Sequence, residues 1–361
     1  MNNKRTKQSP QLEISKCDVI KIGIDVHAQF FMATRQLDGS RPQPAQQFRP
    51  GDFLKWIQKQ LQISKQVVTC YEAGPTGFWL HRKLTELGVT NYVICPTCLD
   101  SRKKGVNTDK TDSNELESRL DRYLAGNHKA FSVVRVPTLE QERRRAVTRQ
   151  REQLRRHRLS LAAQGRTLML LHGYRQSNHW WKPSHWSKLS EQLPAWLIER
   201  LVIFRELIEG MEKQVNALTL SIAKEAPQAK PLGMGELTHE VITREVGDWQ
   251  RFKRWRQVGS YAGLTGGVSR SGQQQADLSI TKAGNKRLRT VLIELSWRLV
   301  AYQSEYWLVK KWKHVLRNPR AHVRRRKQAI VAFARQLFID LWKWKTGRAT
   351  AQSLGWKLSE A

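Results

Sequence analysis

Asp25 ends the Ile- and Val-rich run DVIKIGIDV, and Glu72 ends a second such run, QVVTCYEA. Asp109 and Asp112 stand three residues apart in DKTDSNE. Residues three apart share one face of a helix. The carboxyl ends of parallel strands are where α/β proteins gather their sites. Four carboxylates meeting there would repel one another unless a cation neutralised them. Hard oxygen ligands suit Mg2+ or Mn2+. Two such ions can activate a nucleophile and stabilise a leaving oxygen at a phosphodiester. Each acid alone also has an ordinary reading: acids commonly follow strands, and Asp112 would serve as an N-cap. The set carries more weight, because the chain holds 31 Asp and Glu against 63 Lys and Arg.

The elements that must position these acids are legible over 18–98. DVIKIGIDV and FFMATRQ read as a strand hairpin, with PAQQFR a third strand. DFLKWIQKQL places Phe53, Leu54, Ile57 and Leu61 near helical spacing. QVVTCYEA is a strand. TGFWLHRKLTELG is a helix with Thr76 as N-cap and Gly88 as stop. NYVICP is a strand, and DSNELESRLDRYLAG is a helix ending at Gly126. Strands first, then alternating helices and strands, predict an α/β sheet with a hairpin edge.

Beyond that the character changes. QERRRAVTRQREQLRRHR is almost wholly polar and basic, with Val147, Leu154, Leu161 and Leu168 recurring once per heptad. Leu197, Leu201, Phe204, Ile208, Met211, Val215, Leu218 and Ile222 alternate spacings of four and three, a coiled-coil seam. Two long helices over 139–222 follow, paired with each other or with a second protomer. SNHWWKPSHWSKL between them is a Trp-rich connector of no evident role. Downstream, PLGMGELTHEV sets glycines ahead of a helix, and SYAGLTGGVSRSGQQQ reads as a Gly- and Ser-rich loop. NKRLRTVLIELSWRLVAY and RKQAIVAFARQLFIDLWKWK read as helices.

A formal net charge of +32 over 361 residues exceeds what folding or solubility requires and calls for a polyanionic partner. The basic runs Arg143–Arg145, Arg155–Arg158 and Arg324–Lys327 are the densest. No apolar run is long enough to span a bilayer. MNNKRTKQSP has no apolar stretch after it, so it is not a secretory leader, and a cytoplasmic protein is expected. Cys17, Cys70, Cys95 and Cys98 are then reduced thiols. The single CxxC at Cys95 and Cys98 lacks the second pair a zinc site would need. Trp312, Trp342 and Trp344 lie beside basic residues, an arrangement that suits base stacking, but Trp at helical spacing more often fills cores.

GIDVHAQ, YEAGPTGFWL and DKTDSNE together resemble the RuvC-type DEDD domain of the insertion sequence 110 transposases, the Piv/MooV-like family. YAGLTGGVSRSGQQQADLSITKAGNKRLRTVLIELSWR resembles that family's C-terminal transposase domain. The two regions, roughly 18–125 and 230–305, occur in the family's order. The resemblance implies an α/β RuvC/RNase H-like domain over 18–135, after a basic disordered tail at 1–17. A coiled-coil connector over 136–229, a mainly α C-terminal domain over 230–350 and a tail at 351–361 follow.

It also implies a recombinase that cuts and rejoins donor and target DNA. The expected parts are a metal-bound tetrad of Asp25, Glu72, Asp109 and Asp112, a structured guide RNA, and a dimer or tetramer. It implies a catalytic serine as well, whose hydroxyl would attack the phosphodiester and conserve its bond energy in a phosphoserine ester. The family commonly shows two adjacent serines before a glycine. Here Arg270 takes the first of those positions and Ser271 the second, so Ser271 is the candidate and Ser269 the alternative. Tyr261, Lys282, Arg287 and Arg289 are nearby phosphate-binding candidates. Two other readings stay open: a Holliday-junction resolvase or nuclease using water, which needs no serine loop, and a non-catalytic nucleic-acid-binding regulator.

Overall fold

Strand β1 (Cys17–Val26) alternates so that Ile20, Ile22 and Ile24 point to one face, all fully buried, while Lys21, Gly23 and Asp25 point to the other. That alternation sets which side of the sheet receives which layer. The computed structural model describes residues 16–96, 109–271 and 274–359. They divide into two compact units, Met1–Val136 and Pro137–Ala361.

In the first unit β1 pairs antiparallel with β2 (Phe31–Leu37), and β2 pairs antiparallel with β3 (Gln46–Phe48). β1 also pairs parallel with β4 (Ser64–Glu72), and β4 pairs parallel with β5 (Thr90–Ile94). The strand order is β3-β2-β1-β4-β5. Helices α1 (Pro50–Ile63) and α2 (Trp79–Glu86) bury Phe53, Ile57, Leu80 and Leu84 on the isoleucine face, beside Val67 and Tyr71 of β4. Helix α3 (Asp109–Leu124) covers the opposite face, where Leu116 and Leu120 pack on Val68, Cys70, Ile94 and Phe131. The hairpin edge and the α/β character match the expectation. Thr76 does not cap α2: that helix starts at Trp79, with Phe78 at its N-cap and no side-chain bond there.

The second unit opens with α4 (Leu139–Leu171). Thr138 accepts from Gln141 N while the Gln141 side chain accepts from Thr138 N, a reciprocal capping box. The chain turns through α5 (Pro183–Ser190) and returns as α6 (Ala195–Ala223). Arg144 meets Glu225, Arg151 meets Thr219 and Arg158 meets Glu212, so α4 and α6 run antiparallel. Leu197, Leu201, Ile208, Val215 and Ile222 of the expected seam are the buried face of α6.

On α4 the buried positions are Thr148, Ala162, Gly165 and Met169, not the heptad residues Val147, Leu154, Leu161 and Leu168, which are half-buried. The reason lies in the connector. Trp180 is fully buried against Gly165 and donates its indole N–H to Ala162 O at 2.9 Å. A side chain at Gly165 would overlap that ring. The tryptophans of the connector are therefore the core of this helical hairpin, with Trp181, Leu189 and Leu193 beside Trp180.

The rest of the unit is a helical bundle. It comprises α7 (Glu236–Val246), a single 3-10 turn at Trp249–Arg251, α8 (Trp255–Tyr261), α9 (Lys286–Tyr302), α10 (Trp307–Leu316), α11 (Val323–Lys345) and α12 (Ala351–Leu354). Leu288, Leu292, Leu295 and Leu299 of α9 meet Phe333, Leu337 and Phe338 of α11 in its core. Trp342 is buried there, and Trp312 and Trp344 pack partly against it, so these tryptophans serve the core. The stretch expected to be a loop is instead a two-stranded antiparallel hairpin, β6 (Gly266–Ser271) and β7 (Gln274–Ile280). Among the described residues no helix is long and apolar enough to cross a membrane.

Candidate functional site

Asp25 and Glu72 lie on neighbouring parallel strands. The register pairs Ile24 with Tyr71, so the next residues, Asp25 and Glu72, stand side by side. In-register residues of adjacent strands point to the same face, here the face covered by α3. Gly23, two residues before Asp25, is where α3 crosses β1. A Cβ at Gly23 would overlap the backbone of Ser113 and Glu117, so only glycine lets the helix lie this close. Thr34 of β2, the register partner of Gly23, holds the same turn of α3 through Ser113 Oγ at 3.0 Å and Asn114 Oδ1 at 2.5 Å. Cys70, two residues before Glu72, donates to Leu116 O at 3.3 Å. These contacts fix α3 on this face of the sheet, the face that carries Asp25 and Glu72, and Asp112 is close enough to act on the Glu72 carboxyl.

Burial pushes the Glu72 carboxyl above its ordinary range, and the charges of Asp25 and Asp112 push it further. Arg119 opposes the shift. Asp25, Glu72 and Asp112 are each half-buried, open to solvent on one side. His27 Nε2 lies 2.9 Å from Asp25 Oδ2. Asp109 begins α3, and its side chain lies outside the described residues, as does Cys98. Among the described residues no group of three or more His, Cys, Asp or Glu is arranged to hold a metal ion. The donor chemistry nevertheless fits a hard divalent cation: oxygen ligands only, partly shielded from water, with mutual repulsion that a cation would relieve.

Ser269 and Ser271 lie on β6, where Ser271 pairs with Gln274 and Ser269 with Ala276; their side chains lie outside the described residues. The base of this hairpin is rigidly seated. Thr281 N donates to Thr265 O, Lys282 N to Gly263 O and Asn285 N to Tyr261 O. Gly284, at φ 155°, is pressed against Gly263 N and Tyr261 O, where no side chain fits.

Glu245, an acid that sequence reasoning did not single out, organises this seat. It is 1% exposed and takes two bonds of 3.0 Å from Arg149 of α4. Asn285, the N-cap of α9, donates to it at 2.6 Å, and Tyr261 OH donates to its backbone carbonyl at 2.9 Å. Burial pushes the Glu245 carboxyl up, but Arg149 and Asn285 outweigh burial and hold it below its ordinary value. Tyr261 thus serves the scaffold, and Arg289 bonds Ala262 O and Lys282 O. His239 is buried between Glu240 and Lys345. No motif marks Glu245 in the sequence; only its position amid Arg-rich segments hints at pairing.

Comparison with known proteins bears on both units. Residues 231–312, which span the hairpin and its seat, match the model of the transposase IS116/IS110/IS902 family. A Sinorhizobium fredii protein named as a transposase is 28% identical over 308 residues, covering 77% of this chain and 76% of its own length. A second from the same organism is 31% identical over 262 residues, covering 64% and 58%. The transposase for insertion sequence element IS1533 of Leptospira borgpetersenii is 23% identical over 306 residues, covering 77% and 85%. Residues 231–312 thus match the transposase domain of the IS116/IS110/IS902 family, and the chain is similar over most of its length to proteins named as transposases.

Proposed function

We propose that the protein is a DNA recombinase of an insertion sequence that cuts and rejoins donor and target strands. Asp25, Glu72, Asp109 and Asp112 serve as the acidic tetrad and Ser271 as the nucleophile. The observation that carries the reading is the position of Asp25 and Glu72, each one residue beyond the paired Ile24 and Tyr71, with Asp112 near enough to raise the Glu72 carboxyl. The strand order β3-β2-β1-β4-β5, with β1, β2 and β3 antiparallel and β4 and β5 parallel to β1, supports a RuvC/RNase H-like first unit.

A divalent ion, Mg2+ or Mn2+, held by the four carboxylates would polarise the scissile phosphate. The chain's own parts do the rest. The strand ends hold the carboxylates in fixed mutual positions, and the half-buried setting limits water. Ser271, on a hairpin anchored by the Glu245 seat, presents a hydroxyl for attack on phosphorus. The new Ser–O–P bond replaces the broken P–O bond of the DNA strand. The proton leaves the serine hydroxyl, and the departing DNA oxygen is protonated. The ester conserves the bond energy for rejoining. The family resemblance adds a structured guide RNA and a dimer or tetramer to this picture, with the α4–α6 helical pair as a candidate assembly element.

The test places Ser271→Ala and Ser269→Ala beside wild type on a denaturing gel with labelled DNA. A protein–DNA adduct is expected in wild type and lost in Ser271→Ala. An adduct that persists there and vanishes in Ser269→Ala moves the role to Ser269. Cleavage without any adduct in wild type makes water the nucleophile and the protein a nuclease.

A further inference from the structure

Between α4, α7 and α9 the second unit holds a cleft of about 300 Å³ that the serine hairpin and the acidic tetrad leave unused. Arg151, Arg155 and Arg156 line it from α4, and Lys286 and Arg287 from α9. Three acids also line it, and two of them are committed. Glu245 is held by Arg149 and Asn285. Glu152 is held by Arg155 and Arg156, at 3.2 and 3.1 Å. That leaves Arg151, Lys286 and Arg287 against Glu294 alone.

Arg151 donates to Thr219 rather than to a carboxylate. Burial presses its guanidinium below ordinary basicity; Glu152 opposes this and Arg155 adds to it. The Nε of Arg287 is buried with no hydrogen-bond partner among the described residues. A buried guanidinium N–H without an acceptor is costly and calls for a water, an ion or a ligand oxygen. The Arg149–Glu245–Asn285 hub, centred on the buried Glu245 carboxylate, ties together the three helices that form the cleft.

We propose that this cleft seats a phosphodiester segment of nucleic acid, with Arg151, Lys286 and Arg287 as its phosphate ligands. Leu237, Val241 and Val291 also line the cleft and offer apolar contact to the sugars of the same strand. Lys286 and Arg287 of the seat begin six residues past the end of β7. A strand held there enters the serine hairpin already anchored. The inference rests on the nucleic-acid part of the proposed function, but not on which serine reacts or on metal.

The test reads the salt dependence of binding by fluorescence anisotropy of the full chain, with duplex DNA and single-stranded RNA as separate probes. Each phosphate contact contributes a slope of about −0.9 on duplex and about −0.7 on single strands in log affinity against log salt. The variant R151Q/K286Q/R287Q is expected to lose about two to three such contacts from the slope on one probe. The control K59Q/K188Q/K213Q removes the same charge from exposed positions outside the cleft and outside the basic runs. Lys286→Gln alone, at an exposed position, repeats the measurement with one contact's loss where the triple variant fails to fold. Loss on DNA only, or on RNA only, identifies which strand occupies the seat. Slopes equal to those of the control on both probes overturn the seat while leaving the transposase reading intact. A wild type with no salt-dependent binding to either probe overturns both.

Discussion

Asp25 and Glu72 stand next to each other at the carboxyl ends of two parallel strands, one residue beyond the Ile24–Tyr71 pair. Two like charges in that position are costly unless something offsets them. Among the described groups the balance falls the wrong way: Asp25 and Asp112 both raise the Glu72 carboxyl, against Arg119. Arrangements that work against the charged form of their own acids are characteristic of functional sites.

Asp25→Asn is expected to reduce strand cleavage by about 100-fold or more, the scale of losing one well-placed electrostatic group. Affinity for DNA should stay near wild type, because the acids do not bind phosphate directly. The check is a cleavage assay run beside an anisotropy titration. Cleavage at the wild-type rate would remove Asp25 from the site.

Gly23→Ala forces a Cβ into the backbone of α3. The helix must shift or the sheet must bend, at a cost of about 1–3 kcal/mol. The urea midpoint should fall accordingly, and cleavage should fall with it because Asp112 rides on the displaced turn. An unchanged midpoint would show that α3 does not lie this close to β1.

Glu117 is fully buried, and both of its carboxylate oxygens lack a hydrogen-bond partner. Burial, with a contribution from Asp121 against Lys21, pushes its carboxyl up to about 7. A carboxyl raised in the folded state binds its proton more tightly folded than unfolded. Its penalty is therefore absent below the unfolded value near 4.5 and grows as pH rises to about 7. Glu117→Gln removes the ionisation. The variant should be more stable than wild type at pH 8 by about 3 kcal/mol, with the difference vanishing below pH 4.5. Equal gains at both pH values would place the effect in packing rather than charge.

Glu245→Gln breaks the bidentate pair with Arg149 and weakens the bond from Asn285. The expected loss is about 1–3 kcal/mol, moderated because Arg149 can turn toward water. Hydrogen exchange should rise at the start of α9 and at the base of β6 and β7 before it rises in the α9–α11 core. A uniform change across the second unit would mean that Glu245 supports the bundle generally and not this seat.

The local alternation of the sequence decided a good deal. Ile20, Ile22 and Ile24 declare one buried face of β1, and that periodicity also places Asp25 on the opposite face. The spacing from Leu197 to Ile222 declares the buried face of α6, because a helix repeats its faces every three to four residues. The three acidic motifs and the hairpin region carried the family resemblance, and comparison with known transposases agrees with it. These features need no knowledge of what lies across the core.

Tertiary structure decided the rest, wherever a residue's role depends on a partner far along the chain. Gly165 and Ala162 rather than the heptad leucines became the buried face of α4, because Trp180 needed a flat, small-residue surface and a carbonyl for its N–H. The glycine- and serine-rich stretch became a hairpin because the close approach of Gly263 and Gly284 clamps its ends together. Glu245 became a hub only because Arg149, 96 residues away, reaches its buried carboxylate. A buried charge is tolerated only with its partner in place, and no local pattern names that partner in advance.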